Sequence, residues 1–332
     1  MGKVSQPLKE PKMTAYRSEF LHEDIDLDAL ASLVSRSLGK TCRLMPLHVK
    51  CTYPVFYGEI DGESPVFVKV TTSAEWNRTR HLLQETEGCE LFAKLRTTER
   101  IDYLGYKVLV FLWQDVCMVP PEDMNEAQIS SFVAGCVRLS DALQRVSSFV
   151  PLAEASWAPE RLYAVLADYA DRHPVFAHGL SRLLDIPVER RTFTGHRLFV
   201  LHGDFHAKNF AFDGDRFASV FDFDSLTEGL FCGDLVNALV ERFSLLSLPA
   251  SARLRLEAAT RRILSLWPGS QEELVIAANV CRLRFAARRI LKHPGSLWVV
   301  LDVVRRDRRI CALLRLIEKS SGDQPGLAEH AK

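Results

Sequence analysis

The apolar residues of this chain are spaced mainly for strands up to residue 113 and mainly for helices from residue 126, and that shift limits what it can fold into. Between residues 42 and 113 they come in short runs of strand length. These are about 42–49, PVFYGEI at 54–60, PVFVKV at 65–70 and YKVLVFLW at 106–113, with an Asp61-Gly62 turn signal joining the middle two. From residue 126 onward they recur at helical spacing. Ile129, Phe132, Val133, Cys136, Leu139 and Leu143 make one stripe over 126–145, and similar patterns cover 158–185, 232–247, 250–267, 271–292 and 296–319. The first part holds two helical patterns of its own. One runs over 24–38 and stops at Gly39; the other runs over 74–96, with Leu83, Glu87, Leu91 and Leu95 on one face. Within the helical part, two short strands at 197–204 and 217–224 flank a loop. The polar stretch 114–125, with Pro120-Pro121, reads as a linker. This order predicts an α+β fold of two lobes, a small strand-rich one and a larger, mainly helical one, with a cleft between them. The expected division is a tail at 1–14, a first lobe at 15–115, a second at 116–320 and a tail at 321–332.

Composition removes several function classes. Lysine plus arginine and aspartate plus glutamate each number 42, so the chain has no net charge to match nucleic acid or an anionic membrane. No run approaches the ~20 apolar residues of a spanning helix. The basic segment 1–14 has no apolar stretch of the kind a secretory signal carries, so the expectation is a cytoplasmic protein. None of the eight cysteines sits at C-x-x-C spacing, which leaves zinc-knuckle and thioredoxin chemistry without support. Small buried thiols in a reducing compartment are the simpler reading. A P-loop, a G-x-S-x-G and an H-E-x-x-H are all missing.

One constellation carries chemistry. HGDFHAKN runs from His202 to Asn209, and thirteen residues later comes Asp222 in VFDFD. An aspartate and an asparagine five apart on a loop between strands, then an aspartate after the second strand, suit phosphoryl transfer to an alcohol. One carboxylate takes the hydroxyl proton; the asparagine oxygen and the second carboxylate hold magnesium against the phosphates.

These residues resemble the aminoglycoside phosphotransferase and choline kinase-like superfamily, which has a protein kinase-like fold. Its pattern is H-G-D-x-x-x-x-N, then hydrophobic-D-x-(D/E), then a D-L that opens a helix. Here these are His202-Gly203-Asp204 with Asn209, Phe221-Asp222-Phe223-Asp224, and Gly233-Asp234-Leu235. The resemblance covers about 40–320. It implies Asp204 as catalytic base, Asn209 and Asp222 as metal ligands, and Asp224 as a further metal carboxylate. Asp234 would anchor the loop from below, and His202 would orient it. It implies Lys69, in PVFVKV, as the lysine that meets the nucleotide phosphates, held by a carboxylate of the next helix. Glu87 is favoured for that partner because Leu91 and Leu95 follow it, with Glu85 and Glu90 as alternatives. It also implies that backbone near Phe111 to Trp113 meets the purine of ATP or GTP, with Mg2+ as cofactor. Two departures stand out: the turn at 50–54 has no G-x-G-x-x-G, and no A-P-E follows the second motif.

The implied activity is a kinase acting on a small hydroxyl-bearing molecule. A nucleotide-binding pseudokinase scaffold and a protein kinase are the alternatives, and only eleven residues (223–233) separate Asp222 from Asp234, which weighs against the latter. The acceptor side is expected to come from the C-terminal helices. Residues 253–319 hold thirteen arginines and two lysines against six acidic residues. A polycationic aminoglycoside needs an acidic pocket, so a sugar or another neutral or anionic metabolite fits better. Choline would need an aromatic cage, and Phe243, Trp267, Phe285 and Trp298 show no clustering.

Overall fold

The computed structural model describes residues 25–47, 53–146, 159–186, 196–293 and 296–320, so the two expected tails and most of the turn at 50–54 lie outside the described residues. Helix α1 (Leu27–Leu38) starts where Asp26 accepts the amide of Ala29 at 3.0 Å and ends at Gly39. It lies against an antiparallel sheet of β1 (Cys42–Pro46), β2 (Val55–Ile60), β3 (Val66–Thr71), β4 (Ile101–Tyr103) and β5 (Tyr106–Leu112), in the order β1-β2-β3-β5-β4. Alternation along β3 decides what each face does. Val66, Val68 and Val70 are fully buried in the core shared with Leu30, Val34, Phe56, Val108 and Val110. Phe67 and Lys69 therefore point to the opposite face.

Helix α2 (Ser73–Glu85) follows β3 and is shorter than its sequence pattern. The Oγ of Thr86 donates to Leu82 O at 2.7 Å and the helix ends there. Leu91 and Leu95 therefore do not continue it. Leu91 and Phe92 are buried in the core of the second lobe, where Phe92 bridges Val220, and Leu95 bridges Phe111 of β5. The four-residue apolar spacing of this stretch runs on into a turn-rich connector, not along one helical face.

The second lobe begins with α3 (Glu126–Leu143), opened by an Asn125–Gln128 capping box, and the stripe from Ile129 to Leu143 is buried as its spacing requires. The linker before it is tied down. The buried Glu122 receives Arg242 Nε at 3.0 Å, and its carbonyl receives Arg255 at 3.1 Å. The single pattern at 158–185 is two helices, α4 (Pro159–Arg172) and α5 (Pro174–Leu184), because Pro174 cannot continue a helix through His173 and starts a new one. Two small two-stranded sheets follow. One pairs β6 (Phe199–Leu201) with β9 (Thr227–Gly229); the other pairs β7 (Phe210–Asp213) with β8 (Arg216–Val220). Helices α6 (Gly233–Ser244), α7 (Ala250–Leu266), α8 (Gln271–Lys292) and α9 (Leu297–Lys319) complete the lobe, and α8 packs on α4, α6 and α9. Among the described residues no helix is long and apolar enough to cross a membrane. The whole is a two-lobed α+β fold of the protein kinase-like kind, with a strand-rich first lobe and a mainly helical second one.

Candidate active site

The loop from His202 to Asn209 leaves β6 and enters β7. A cluster of phenylalanines fixes its underside: Phe205 is fully buried, 5.0 Å from Phe210 and stacked near Phe132. Asp234, in the first turn of α6, holds its start. The carboxylate accepts the amides of His202 at 2.8 Å and Gly203 at 3.0 Å. Burial pushes the Asp234 carboxyl above its usual range; the nearby His202 ring and the two amides oppose that rise. Gly203 has a φ of 78°, and a Cβ there would sit 1.9 Å from Ser225 O, so no other residue fits this bend.

The imidazole of His202 joins this loop to the second motif. Its Nε2 lies 2.6 Å from Phe221 O, and its Nδ1 accepts the Asp204 amide at 3.3 Å. The Phe221 amide in turn donates to Asn209 O at 2.8 Å. Phe221 is thus held at both its carbonyl and its amide, and Asp222 after it adopts a left-handed conformation (φ 62°, ψ 64°). For a residue other than glycine that conformation costs about 1–2 kcal/mol, a strain that surrounding contacts must hold.

Three side chains converge at the loop's centre. Asp204 Oδ1 receives Arg288 Nη1 of α8 at 3.0 Å, and Oδ2 lies 3.6 Å from His206 Nε2. Partial burial pushes the Asp204 carboxyl up, but His206 and Arg288 outweigh it and hold the group well below the ordinary carboxylate range. Asn209, buried, donates its amide nitrogen to Asp204 O at 2.9 Å, which fixes the side chain's orientation and turns its oxygen away. Lys208 is exposed.

Lys69 reaches this site from the first lobe. Its Nζ donates to Asp222 Oδ1 at 2.9 Å across 153 residues of chain and sits 5.6 Å from the centre of the Tyr53 ring. The expected helix partner is placed differently. Glu87 lies beyond the end of α2, exposed, because the helix stops at Glu85; Glu85 is exposed too, and Glu90 pairs with Arg216 at 3.3 Å. The buried carboxylate of α2 is Glu75, bonded to Thr71 and Thr72. In the segment from Phe111 to Trp113, expected to meet the purine, two amides already have partners. The Leu112 amide already donates to Lys94 O at 2.8 Å and the Trp113 amide to Pro65 O at 3.1 Å. The Phe111 ring packs on Phe67, and the half-exposed Trp113 ring packs edge-on to Tyr57. Asp224 falls in the single turn Phe223–Ser225, and its side chain lies outside the described residues. Among the described residues, no three His, Cys, Asp or Glu side chains cluster to hold a metal ion.

Arg288 and Arg284 were not singled out from the sequence, although their i, i+4 spacing on one pattern was the signal available. Arg284 is 8% exposed. Burial lowers its pKa, as does Arg288, while Asp204 and Asp234 lie close enough to counter that.

Comparison with known folds and families agrees with this geometry. In solved structures the chain is similar to a spectinomycin phosphotransferase bound to ADP and spectinomycin. The TM-score is 0.56 at 11% identity, covering 90% of this chain and 99% of that one. It is also similar to a macrolide 2′-phosphotransferase from Brachybacterium faecium (TM-score 0.53, 14% identity, 91% and 99% covered). A third is a thermostable mutant of an aminoglycoside phosphotransferase bound to ADP and hygromycin B (TM-score 0.55, 13% identity, 87% and 98% covered). At these identities the likeness shows the fold. A comparison with curated protein sequences finds no match. The family model described as the phosphotransferase enzyme family matches residues 93–272, more than half of the chain and the stretch that carries both motifs, and the protein therefore belongs to that family.

Proposed function

We propose that the protein transfers the γ-phosphoryl group of ATP or GTP, with magnesium, to a hydroxyl of a small molecule. The acceptor in this reading is a sugar or another neutral or anionic metabolite, not an aminoglycoside. The division between nucleotide-binding and acceptor-binding lobes falls at 115/116. The observation that carries the reading is the Lys69–Asp222 bond of 2.9 Å between two distant segments, beside a loop in which the amide of Phe221, the residue before Asp222, donates to Asn209 O at 2.8 Å.

The donor set fits a magnesium ion. Asn209 turns its amide nitrogen to Asp204 O, leaving its oxygen as acceptor, and Asp222 is a half-exposed carboxylate. Two protein oxygens suit a hard cation that keeps waters and phosphate oxygens in its shell, with Asp224 as a further carboxylate. Magnesium, when bound, would neutralise charge on the phosphate oxygens. The chain's own groups do the rest. Lys69 orients the α- and β-phosphates, as its place on the face of β3 away from the valine core allows. Asp204 takes the acceptor's hydroxyl proton as the oxygen bonds to the γ-phosphorus, and the electron pair of the breaking P–O bond leaves with the nucleoside diphosphate.

A protein substrate fits less well. The eleven residues 223–233 are committed to a short 3-10 turn and to β9, which pairs with β6. The arginines of α8 beside Asp204 oppose a polycation.

Calorimetric titration with ATP and GTP, with and without magnesium, tests this reading. Magnesium-dependent binding should appear in the wild type and be lost in Lys69→Ala and Asp222→Ala. Absence of binding to either nucleotide would overturn it.

A further inference from the structure

One face of α6 runs alongside the loop from His202 to Asn209, and its polar residues meet that loop in order. Asp234, in the first turn, accepts the amides of His202 at 2.8 Å and Gly203 at 3.0 Å. Asn237, three residues on, donates Nδ2 to Phe205 O at 3.0 Å. Glu241 comes next on the same face, four positions after Asn237. The loop's backbone fills the first two places but not the third. Among the described residues, Glu241 Oε2 is buried and has no hydrogen-bond partner. Arg242 Nη1 approaches it only to 4.0 Å, beyond hydrogen-bond reach, while Arg242 Nε is bonded to Glu122 at 3.0 Å.

The Glu241 side chain as a whole is 36% exposed, so its carboxylate stands at the edge of the site and not within the core. Burial pushes the carboxyl above its usual range; Arg242, His206 and Lys208 lie near enough to oppose that rise. His206 also reaches Asp204 Oδ2 at 3.6 Å, so the same imidazole neighbours both carboxylates. Two permanent cations, Arg242 and Lys208, already lie near Glu241, and positive charge is not what the group lacks. Its buried oxygen lacks a hydrogen, and an acceptor left without one is destabilising.

We propose that the acceptor is an uncharged polyhydroxyl compound of the sugar or polyol class, held at Glu241 through a hydroxyl other than the one that reacts at Asp204. The proposal rests on the phosphotransferase reading above. An ionised carboxylate only accepts hydrogen bonds, and those it takes from hydroxyls are among the stronger ones. Turning about its last side-chain bond lets either oxygen meet the donor. Two hydroxyls on one carbon frame span the two carboxylates past His206. A single hydroxyl reaches only one of them. A quaternary ammonium has no hydrogen to give, and a primary amine adds a further positive charge beside Arg242 and Lys208, with Arg288 already on Asp204.

The test follows nucleotide consumption by the full chain with magnesium and ATP or GTP. D-glucose, D-ribose, myo-inositol and glycerol are offered as polyols, 1-propanol as the single hydroxyl and ethanolamine as the amine. The proteins are wild type, Glu241→Leu, Glu241→Gln and, as a control, Glu272→Gln in the first turn of α8, where the side chain is exposed. At least one polyol should be turned over, and 1-propanol should not. The KM for that polyol should rise about tenfold or more in Glu241→Leu, the loss expected of one hydrogen bond to a charged group. Most of the affinity should survive in Glu241→Gln, which keeps one acceptor oxygen, and all of it in Glu272→Gln. The kcat should change less than KM, because the hydroxyl held by Glu241 does not react. The urea midpoint of Glu241→Leu should equal or exceed that of wild type, since the variant buries no unpaired oxygen. A lowered midpoint gives Glu241 a structural role and overturns the proposal. So does equal KM in wild type and Glu241→Leu, a Glu241→Gln variant as impaired as Glu241→Leu, preference for ethanolamine over every polyol, or no turnover of any polyol. Calorimetric titration with AMP-PNP and magnesium separates the two readings. Nucleotide binding without polyol turnover removes only the polyol acceptor. Absence of nucleotide binding in wild type removes the phosphotransferase reading and this inference with it.

Discussion

Replacing Asp234 with alanine should destabilise the second lobe more than the removal of one partly paired carboxylate suggests. The side chain accepts two backbone amides, from His202 at 2.8 Å and Gly203 at 3.0 Å, in a region where His202 is fully buried and Asp234 is 6% exposed. Alanine leaves both donors without an acceptor. A stranded buried donor costs about 1–3 kcal/mol, so two cost about 2–6 kcal/mol. Part of this is returned, because the variant no longer buries a carboxylate whose desolvation already pushes its pKa up. The net expectation is about 2–4 kcal/mol, or with a urea m-value of about 3 kcal/mol/M a midpoint lowered by about 1 M.

Urea unfolding followed by far-UV circular dichroism reads this, since most helices belong to the second lobe. The companion variant Asp234→Asn keeps one acceptor oxygen at the same place and should lose about half as much. That order is the discriminating result. If the asparagine variant is as unstable as the alanine variant, charge and not acceptor count is what Asp234 supplies. If Asp234→Ala unfolds within ~0.3 M of wild type, well below the ~1 M shift expected, the loop is held by other contacts and the reasoning fails.

Two further outcomes follow from the same loop. Gly203→Ala forces a Cβ against Ser225 O in a left-handed backbone, so the loop must shift by an ångström or so. Turnover should fall ~100-fold, measured as nucleotide consumption with acceptor present, while nucleotide affinity changes little. Asp204 is an acid whose pKa is depressed on folding. The stability it contributes is therefore present above the ordinary carboxylate pKa and is lost as pH falls through the depressed value. In Arg288→Ala that value should rise toward the ordinary range, moving the acid limb of both the stability and kcat/KM profiles to higher pH; profiles that coincide with wild type would refute the coupling.

Lys69 was readable in the sequence because its neighbours made the answer local. Val66, Val68 and Val70 alternate with it, and a strand period leaves only one place for the lysine. The loop motif was readable for a different reason: a bend that only glycine tolerates, with an aspartate after it and an asparagine five positions on, leaves few alternatives. The partner of Lys69 was not readable. Leu83, Leu91 and Leu95 keep a four-residue spacing whether the chain is helical or not, and spacing does not say which core a residue joins. Leu91 and Phe92 pack in the second lobe, so the helix stops at Glu85 and Glu87 is left outside it. The backbone of the segment expected to meet the purine was only partly readable. An apolar run predicts a strand, but not that the Leu112 and Trp113 amides are taken by Lys94 and Pro65.

The arginines show the same limit for charge. Counted along the chain, the C-terminal segment has a large positive excess, yet several of its partners lie outside it. Asp123 and Glu126, in the linker and the first turn of α3, neutralise Arg255 and Arg262 from more than 130 residues away. Within the segment, Asp302 and Asp307 absorb Arg289, Arg306 and Arg282. What remains at the site is a balance of single groups: Arg284 and Arg288 with Asp204 and the buried Asp234. Adjacent residues in the sequence, Arg288 and Arg289, thus take different partners, one Asp204 in the loop and one Asp302 of α9. A helix turns 100° between them, and only the fold says which of the two faces the site.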